Sequence, residues 1–134
     1  MGAWGSGSFQ NDDASDWIAD FGDDPDESVI VDALSTVVGM TDYLEAPDCS
    51  VAIAAAEVVA ALKGAPNPTM PDEVKESIGM LGIDADRDKV VLALKALERI
   101  KTDSELKELW DDAENPAEWY GAITDLESRL ASVH

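Results

Sequence analysis

A single cysteine, a single histidine and only 9 Lys plus Arg leave this 134-residue chain short of most side chains that carry chemistry. Cys49 has no second cysteine to pair with, so no internal disulfide forms and a reducing cytoplasm is the expected location. Its position at the start of an apolar helix marks it as a small core residue. The one histidine, His134, is the last residue, which argues against a Cys–His nucleophile and against any multi-histidine metal site. The longest apolar stretch, Ala52 to Leu62, is well short of the roughly 20 residues that a bilayer-crossing helix needs. A secretory leader is not expected, because the opening residues lack a basic segment followed by an apolar one. Met1-Gly2 with Ser6 formally matches an N-myristoylation site, but the glycines there have a structural reading given below.

The scarcity of cations has the widest consequence. Against 9 basic residues stand 29 acidic ones, for a net charge of −20 and an isoelectric point near 4.1. A field of that sign opposes binding to nucleic acid and to anionic membrane and favours basic proteins or cations as partners. It also makes self-association through acidic faces costly, so a monomer is expected. The acids are spread along the chain rather than gathered in a tail, which suits a solvated surface as well as a partner-binding one. No phosphate-cradling loop is present: Gly2-x-x-Gly5-x-Gly7 has neither the G-x-G-x-x-G order nor a preceding strand. No nucleophile-elbow motif occurs either, and no catalytic, cofactor-binding or metal-binding residue is assigned.

What is present is helical periodicity throughout. An apolar content of 46% and a length of 134 residues suit one helical domain over residues 1–134, with residues 1–10 as a glycine and aromatic arm packed on it. We expect an all-α, irregular bundle of about seven helices. Asn11 caps the first helix, whose Ala14, Trp17, Ile18 and Phe21 share one face and which Gly22 ends. In the second, Asp24 caps, Pro25 takes the first position and Glu27 reaches back, with Ile30, Ala33, Leu34, Val37 and Val38 as the stripe and Gly39 as the stop. Thr41 to Pro47 is a connector with Tyr43 and Leu44 tucked inward. Asp48 to Lys63 follows and is apolar on nearly every side, interrupted by Glu57, as befits a central helix. After the loop with Pro66 and Pro68, a short helix from Pro71 carries Val74, Ile78 and Leu81, and Gly82 ends it. A longer helix from Asp84 to Ile100 carries Val90, Ala93, Leu94, Leu97 and Ile100. A Thr102–Glu105 capping box then opens a helix with Leu106, Leu109, Trp110 and Ala113 inward. Asn115-Pro116-Ala117-Glu118 starts the last, lined by Trp119, Ile123, Leu126 and Leu130.

The most specific stretch is the opening one. Gly2, Gly5 and Gly7 permit tight turns, and Trp4 and Phe9 are anchors for the arm. Asp12, Asp13 and Asp16 fall in the first turn, where carboxylates suit the helix dipole. The pattern M-G-A-W-G-x-G-x-F-x-N-D-D-A-x-D-W, Met1 to Trp17, resembles the opening of a bacterial domain-of-unknown-function family whose members are acidic and of similar length. Ser104 to Leu130 is similar to that family's closing helices. The resemblance covers nearly the whole chain and implies no activity, substrate or catalytic residue. A recognition patch, if the chain has one, is expected where Trp4, Asp12, Asp13, Asp16 and Trp17 come together.

Two acidic groups invite a metal reading. Asp84-x-Asp86-x-Asp88 has the spacing of a calcium loop, but Lys89 stands where the turn needs Gly and Lys95 where a bidentate Glu belongs. Those aspartates read as charge at a helix start, with Arg87 and Lys89 paired nearby. Asp23, Asp24, Asp26 and Glu27 would crowd Asp12, Asp13, Asp16 and Asp20 if the first two helices folded into a hairpin. Three functions follow in order of expectation. The first is a non-catalytic acidic cytoplasmic protein that docks a basic partner, like an immunity factor or inhibitor. The second is a helical small-molecule binder whose acidity only confers solubility. The third is a metal-dependent or carboxylate-based enzyme using the acidic N-terminal region.

Overall fold

The computed structural model describes residues 12–23, 26–40, 43–64, 67, 70, 72–81, 87–112 and 116–132. Among them are seven helices and no strand: α1 (Asp12–Asp23), α2 (Glu27–Gly39), α3 (Ala46–Leu62), α4 (Asp72–Leu81), α5 (Arg87–Thr102), α6 (Glu105–Asp111) and α7 (Pro116–Ser132). The expected arm at 1–10, Trp4, Phe9, the Asn11 cap, Asp24, Pro25, Gly82, Asp84, Asp86 and Asn115 lie outside the described residues.

The bundle closes around α3. Every residue from Ala52 to Ala60 is buried, and α3 packs against each of the other six helices. Its five alanines in that stretch, at 52, 54, 55, 56 and 60, are fully buried, and their small side chains let neighbouring backbones come close. A helix that is apolar all round has no solvent face to offer, so the centre is the only place where it loses nothing to water. The amphipathic helices turn one stripe each toward it. Ile30, Leu34 and Val37 of α2, Val90, Ala93, Leu97 and Ile100 of α5, and Trp119, Ile123, Leu126 and Leu130 of α7 are all buried, as the 3–4 spacing requires.

The helix ends differ from expectation in instructive ways. Asp26, not Asp24, caps α2: its carboxylate accepts from the Ser28 N–H at 2.9 Å, and that bond holds its pKa below the ordinary value. Glu27 pairs with Lys89 of α5, and Asp24, its expected partner in a capping box, lies outside the described residues. The expected box at Thr102–Glu105 is shifted by two residues. Thr102 ends α5, and Ser104 caps α6 by accepting from Lys107 N–H at 3.1 Å. Glu105 is thereby released to cap a different helix, its Oε1 accepting from Ala46 N–H at the start of α3 at 2.8 Å. In return the Glu105 N–H donates to the Leu44 carbonyl at 2.8 Å. Arg99 similarly donates to the Met40 carbonyl at the end of α2, at 2.6 Å, where a cation suits the helix dipole.

Gly22 does not stop α1, which runs on to Asp23. A Cβ at Gly22 would sit 3.3 Å from Val74 Cγ2, so the missing side chain lets α1 approach α4. Gly121 has no such reason: it is exposed within α7 and a Cβ there would meet nothing within 4 Å. Gly121→Ala is expected to stabilise the fold by about 1 kcal/mol through lower unfolded-state entropy. Gly64→Ala, at φ +92°, should instead cost about 1–2 kcal/mol. Urea titration of the two variants checks both, and a loss in the first or a gain in the second would contradict these assignments.

Candidate functional site

The α1 helix presents two faces of opposite character. Ala14, Ile18 and Phe21 are buried, whereas Asp13, Asp16, Asp20 and Asp23, spaced three and four apart, are exposed along one ridge. Trp17 lies between them in register, half-buried, its ring stacked on Phe21 with centroids 5.5 Å apart and planes 11° from parallel. Of the expected patch, Asp13, Asp16 and Trp17 therefore share one helix, with the acids in water and the indole fixed at the core margin. Asp12 opens the helix, and its side chain and Trp4 lie outside what is described.

The two first helices do not form the packed hairpin that would crowd their acids. Packing of α1 is against α3 and α4, whereas α2 packs against α3 and α5. Asp26 is occupied by Ser28 and Glu27 by Lys89, so that acidic knot is divided between a cap and an ion pair. Lys89 is buried and its ammonium meets Glu27 of α2, Arg87 and Asp88 are exposed, and the expected partners Asp84 and Asp86 lie outside the described residues. Among the described residues, no group of three or more His, Cys, Asp and Glu is placed to hold a metal ion. No described helix is long and apolar enough to cross a membrane. Cys49 is fully buried, and that burial pushes its thiol up to about 11, despite hydrogen bonds with Ser104 and Leu106 that work the other way. A thiol so protonated is a poor nucleophile at neutral pH.

Sequence reasoning missed the most enclosed polar group. Glu57 is fully buried in the middle of α3 and takes two bonds from the Arg129 guanidinium of α7, at 2.7 and 3.2 Å. Asn67 donates to the same carboxylate at 2.8 Å, and Arg129 also donates to Asp125 at 2.9 Å. Burial works against the charge of Arg129, but the carboxylates of Glu57 and Asp125 outweigh it and raise its pKa. The signal was a lone acid in an apolar run; its partner, 72 residues away, had none. These bonds join α3, α7 and Asn67, an arrangement suited to locking α7 onto α3.

Tyr43 is the plainest reversal. Leu44 is buried as expected, but Tyr43 is 53% exposed, and its hydroxyl donates to Glu108 of α6. Leu109, expected inward, is 57% exposed. The helix α6 has only seven residues and buries Leu106, with Trp110 half-buried against the core, so its remaining apolar residue has nothing to face. On the other flank of α6, Asp111 accepts from Lys107 at 2.5 Å and from Tyr120 at 2.8 Å, and the Lys107 bond is the larger cause of its lowered pKa.

The two tyrosines of the chain should consequently titrate late. The bond to Glu108 raises Tyr43 to about 12, and burial followed by the bond to Asp111 raises Tyr120. Because the folded-state values lie above the unfolded value of about 10, their contribution to stability is full below that pH and is lost as pH climbs through the folded values. Ultraviolet difference titration of the folded protein should show neither tyrosine ionising at about 10, and Glu108→Gln should bring Tyr43 alone back toward it. An unchanged Tyr43 curve in that variant would disprove the bond.

Comparison with known proteins adds one match. The family described as Domain of unknown function (DUF4259) matches residues 2–122, nearly the whole chain. No curated protein and no solved structure matches it.

Proposed function

We propose that this chain, which belongs to the DUF4259 family, is a non-catalytic acidic binding protein that docks a basic surface of another protein, in the manner of an inhibitor or immunity factor. The observation that carries the reading is the α1 ridge of Asp13, Asp16, Asp20 and Asp23, exposed on one helix face beside the fixed edge of Trp17. Carboxylates at that spacing offer a row of acceptors to lysine and arginine, and a net charge of −20 steers such a partner from a distance. Several of the few cations are turned to acids of the chain itself: Lys89 to Glu27, Lys101 to Glu98 and Glu127, Lys107 to Asp111, Arg129 to Glu57 and Asp125. The acidic field is thus little interrupted. Asp12 and Trp4 complete the proposed contact set with Asp13, Asp16 and Trp17, and a reducing cytoplasm suits the single thiol.

Affinity capture from the native cytoplasm at low and high salt tests the reading, with an Asp13→Asn/Asp16→Asn/Asp20→Asn/Asp23→Asn variant as control. A basic protein should be retained at low salt and released at high salt, and its association rate with the variant should fall about tenfold or more. A partner that binds regardless of salt, or equally well to the variant, would refute the proposal.

A further inference from the structure

We propose that the exposed face of α6 with Tyr43 is a second docking surface, specific for a basic peptide segment that carries an apolar anchor between its lysines or arginines. It extends the acidic-docking reading and rests on it for the sign of the partner's charge, but it involves a different part of the molecule.

Tyr43 and Leu109 are the most exposed large apolar side chains among the described residues, at 53% and 57%. The two are brought to one place. Tyr43 reaches α6 through its bond to Glu108, and Leu109 follows Glu108 on the same helix. Glu105, Glu108, Leu109 and Asp112 recur at three, four and seven residues, the spacing of a single helix face, and Glu105 is the residue bonded to Leu44 and Ala46. The face therefore borders the 43–46 segment, where an exposed ring is bonded to the residue preceding an exposed leucine. Carboxylates are their neighbours along the chain and the helix: Glu108, Asp112 and Glu45 are exposed, Asp48 is half-exposed, and Glu108 and Glu105 both act on the Tyr43 hydroxyl. Lys107, the cation of α6, is turned away to Asp111 on the other flank.

This combination decides the occupant's chemistry. An apolar pair rimmed by acids rewards a partner that buries an aliphatic or aromatic side chain at the centre while its own cations meet the rim, the usual anatomy of a small interface. A purely basic strand would leave Tyr43 and Leu109 wet. An apolar or acidic segment, a second copy of this chain included, would bring uncompensated or like charge against the rim. Tyr43 is also held in place by Glu108 before any partner arrives, which reduces the ordering that binding requires.

The test uses two fluorescein-labelled peptides: one with a Leu-Trp pair flanked on both sides by lysines, the other with Ser-Ser in place of that pair. At physiological salt the full chain should bind the Leu-Trp peptide about tenfold more tightly, the return expected for one buried anchor. Leu109→Ser with Tyr43→Ser should abolish that preference, while Tyr43→Phe, which keeps the ring, should retain it. The neutralised α1 variant should weaken both peptides equally and leave the ratio intact, so failure of the α1 reading and of this one are told apart. Amide shift mapping on the wild-type chain should place the Leu-Trp peptide at residues 43–45 and 105–112. Equal affinity for the two peptides, a preference that survives the double substitution, or shifts centred elsewhere would overturn the proposal. So would a dimer in sedimentation that Leu109→Ser dissolves, which would give the face to a second copy.

Discussion

Arg129→Leu is expected to lower the stability of the fold by about 3–5 kcal/mol, the loss that follows when a buried charge is left without its counter-charge. Glu57 has no exposed surface, and the Arg129 guanidinium supplies two of its bonds. Asn67 still donates to Glu57 in the variant, but a neutral amide does not balance the carboxylate. For a chain of this size such a loss lowers the melting temperature by roughly 11–18 °C. Glu57→Leu should cost less, because the Arg129 side chain is 17% exposed and keeps Asp125 as a partner. The double variant, leucine at both positions, should recover most of the stability lost in Arg129→Leu, since a well-packed apolar pair replaces a buried ion pair at little net cost. Urea unfolding of the three variants and the parent forms a double-mutant cycle. A loss below about 1 kcal/mol in Arg129→Leu would mean that the pair is not closed to water as described.

Leu97→Ala should cost about 2–5 kcal/mol, whereas the same change at Leu109 should cost no more than about 0.5 kcal/mol. Leu97 is fully buried in α5, a helix packed against α2, α3, α6 and α7, so shortening it opens a cavity that several neighbours would have to move to fill. Leu109 is more than half exposed and leaves only water behind. Each leucine sits at an apolar-stripe position of a helix read from spacing, and only the tertiary arrangement separates them. Thermal unfolding of the two variants decides the matter, and similar losses would place Leu109 in the core after all.

The contrast between these leucines shows where periodicity ends. A stripe identifies the side that a helix would prefer to bury, but α6, at seven residues, is too short to lie along a neighbour and engages the core through Leu106 and Trp110. Tyr43 shows the same limit. It is expected to tuck inward with Leu44, yet a carboxylate 65 residues away holds its hydroxyl at the surface. Caps were legible in kind and not in place: acid and hydroxyl caps do open α2 and α6, but at Asp26 and Ser104. The shift at α6 follows from a competing use of Glu105 at the start of α3. Of the expected contact set, Asp13 and Asp16 of α1 were legible because exposure along a helix follows from spacing alone. The α6 face was not, because it requires knowing which side of a short helix its neighbours leave uncovered.

The sequence by itself determined the class of the molecule. Its charge, its capped amphipathic segments and one stretch apolar on every side are local properties, and they dictate a helical bundle with α3 at the centre. Tertiary structure alone decided the pairings: Glu57 with Arg129, Glu27 with Lys89, Tyr43 with Glu108, and Glu105 with the first turn of α3. Each joins residues that are remote in the chain, and in an acid-rich sequence a given cation or hydroxyl has many carboxylates within its choice. Which one it meets depends on how whole helices cross, a property set by the packing of buried side chains and by no single residue's pattern.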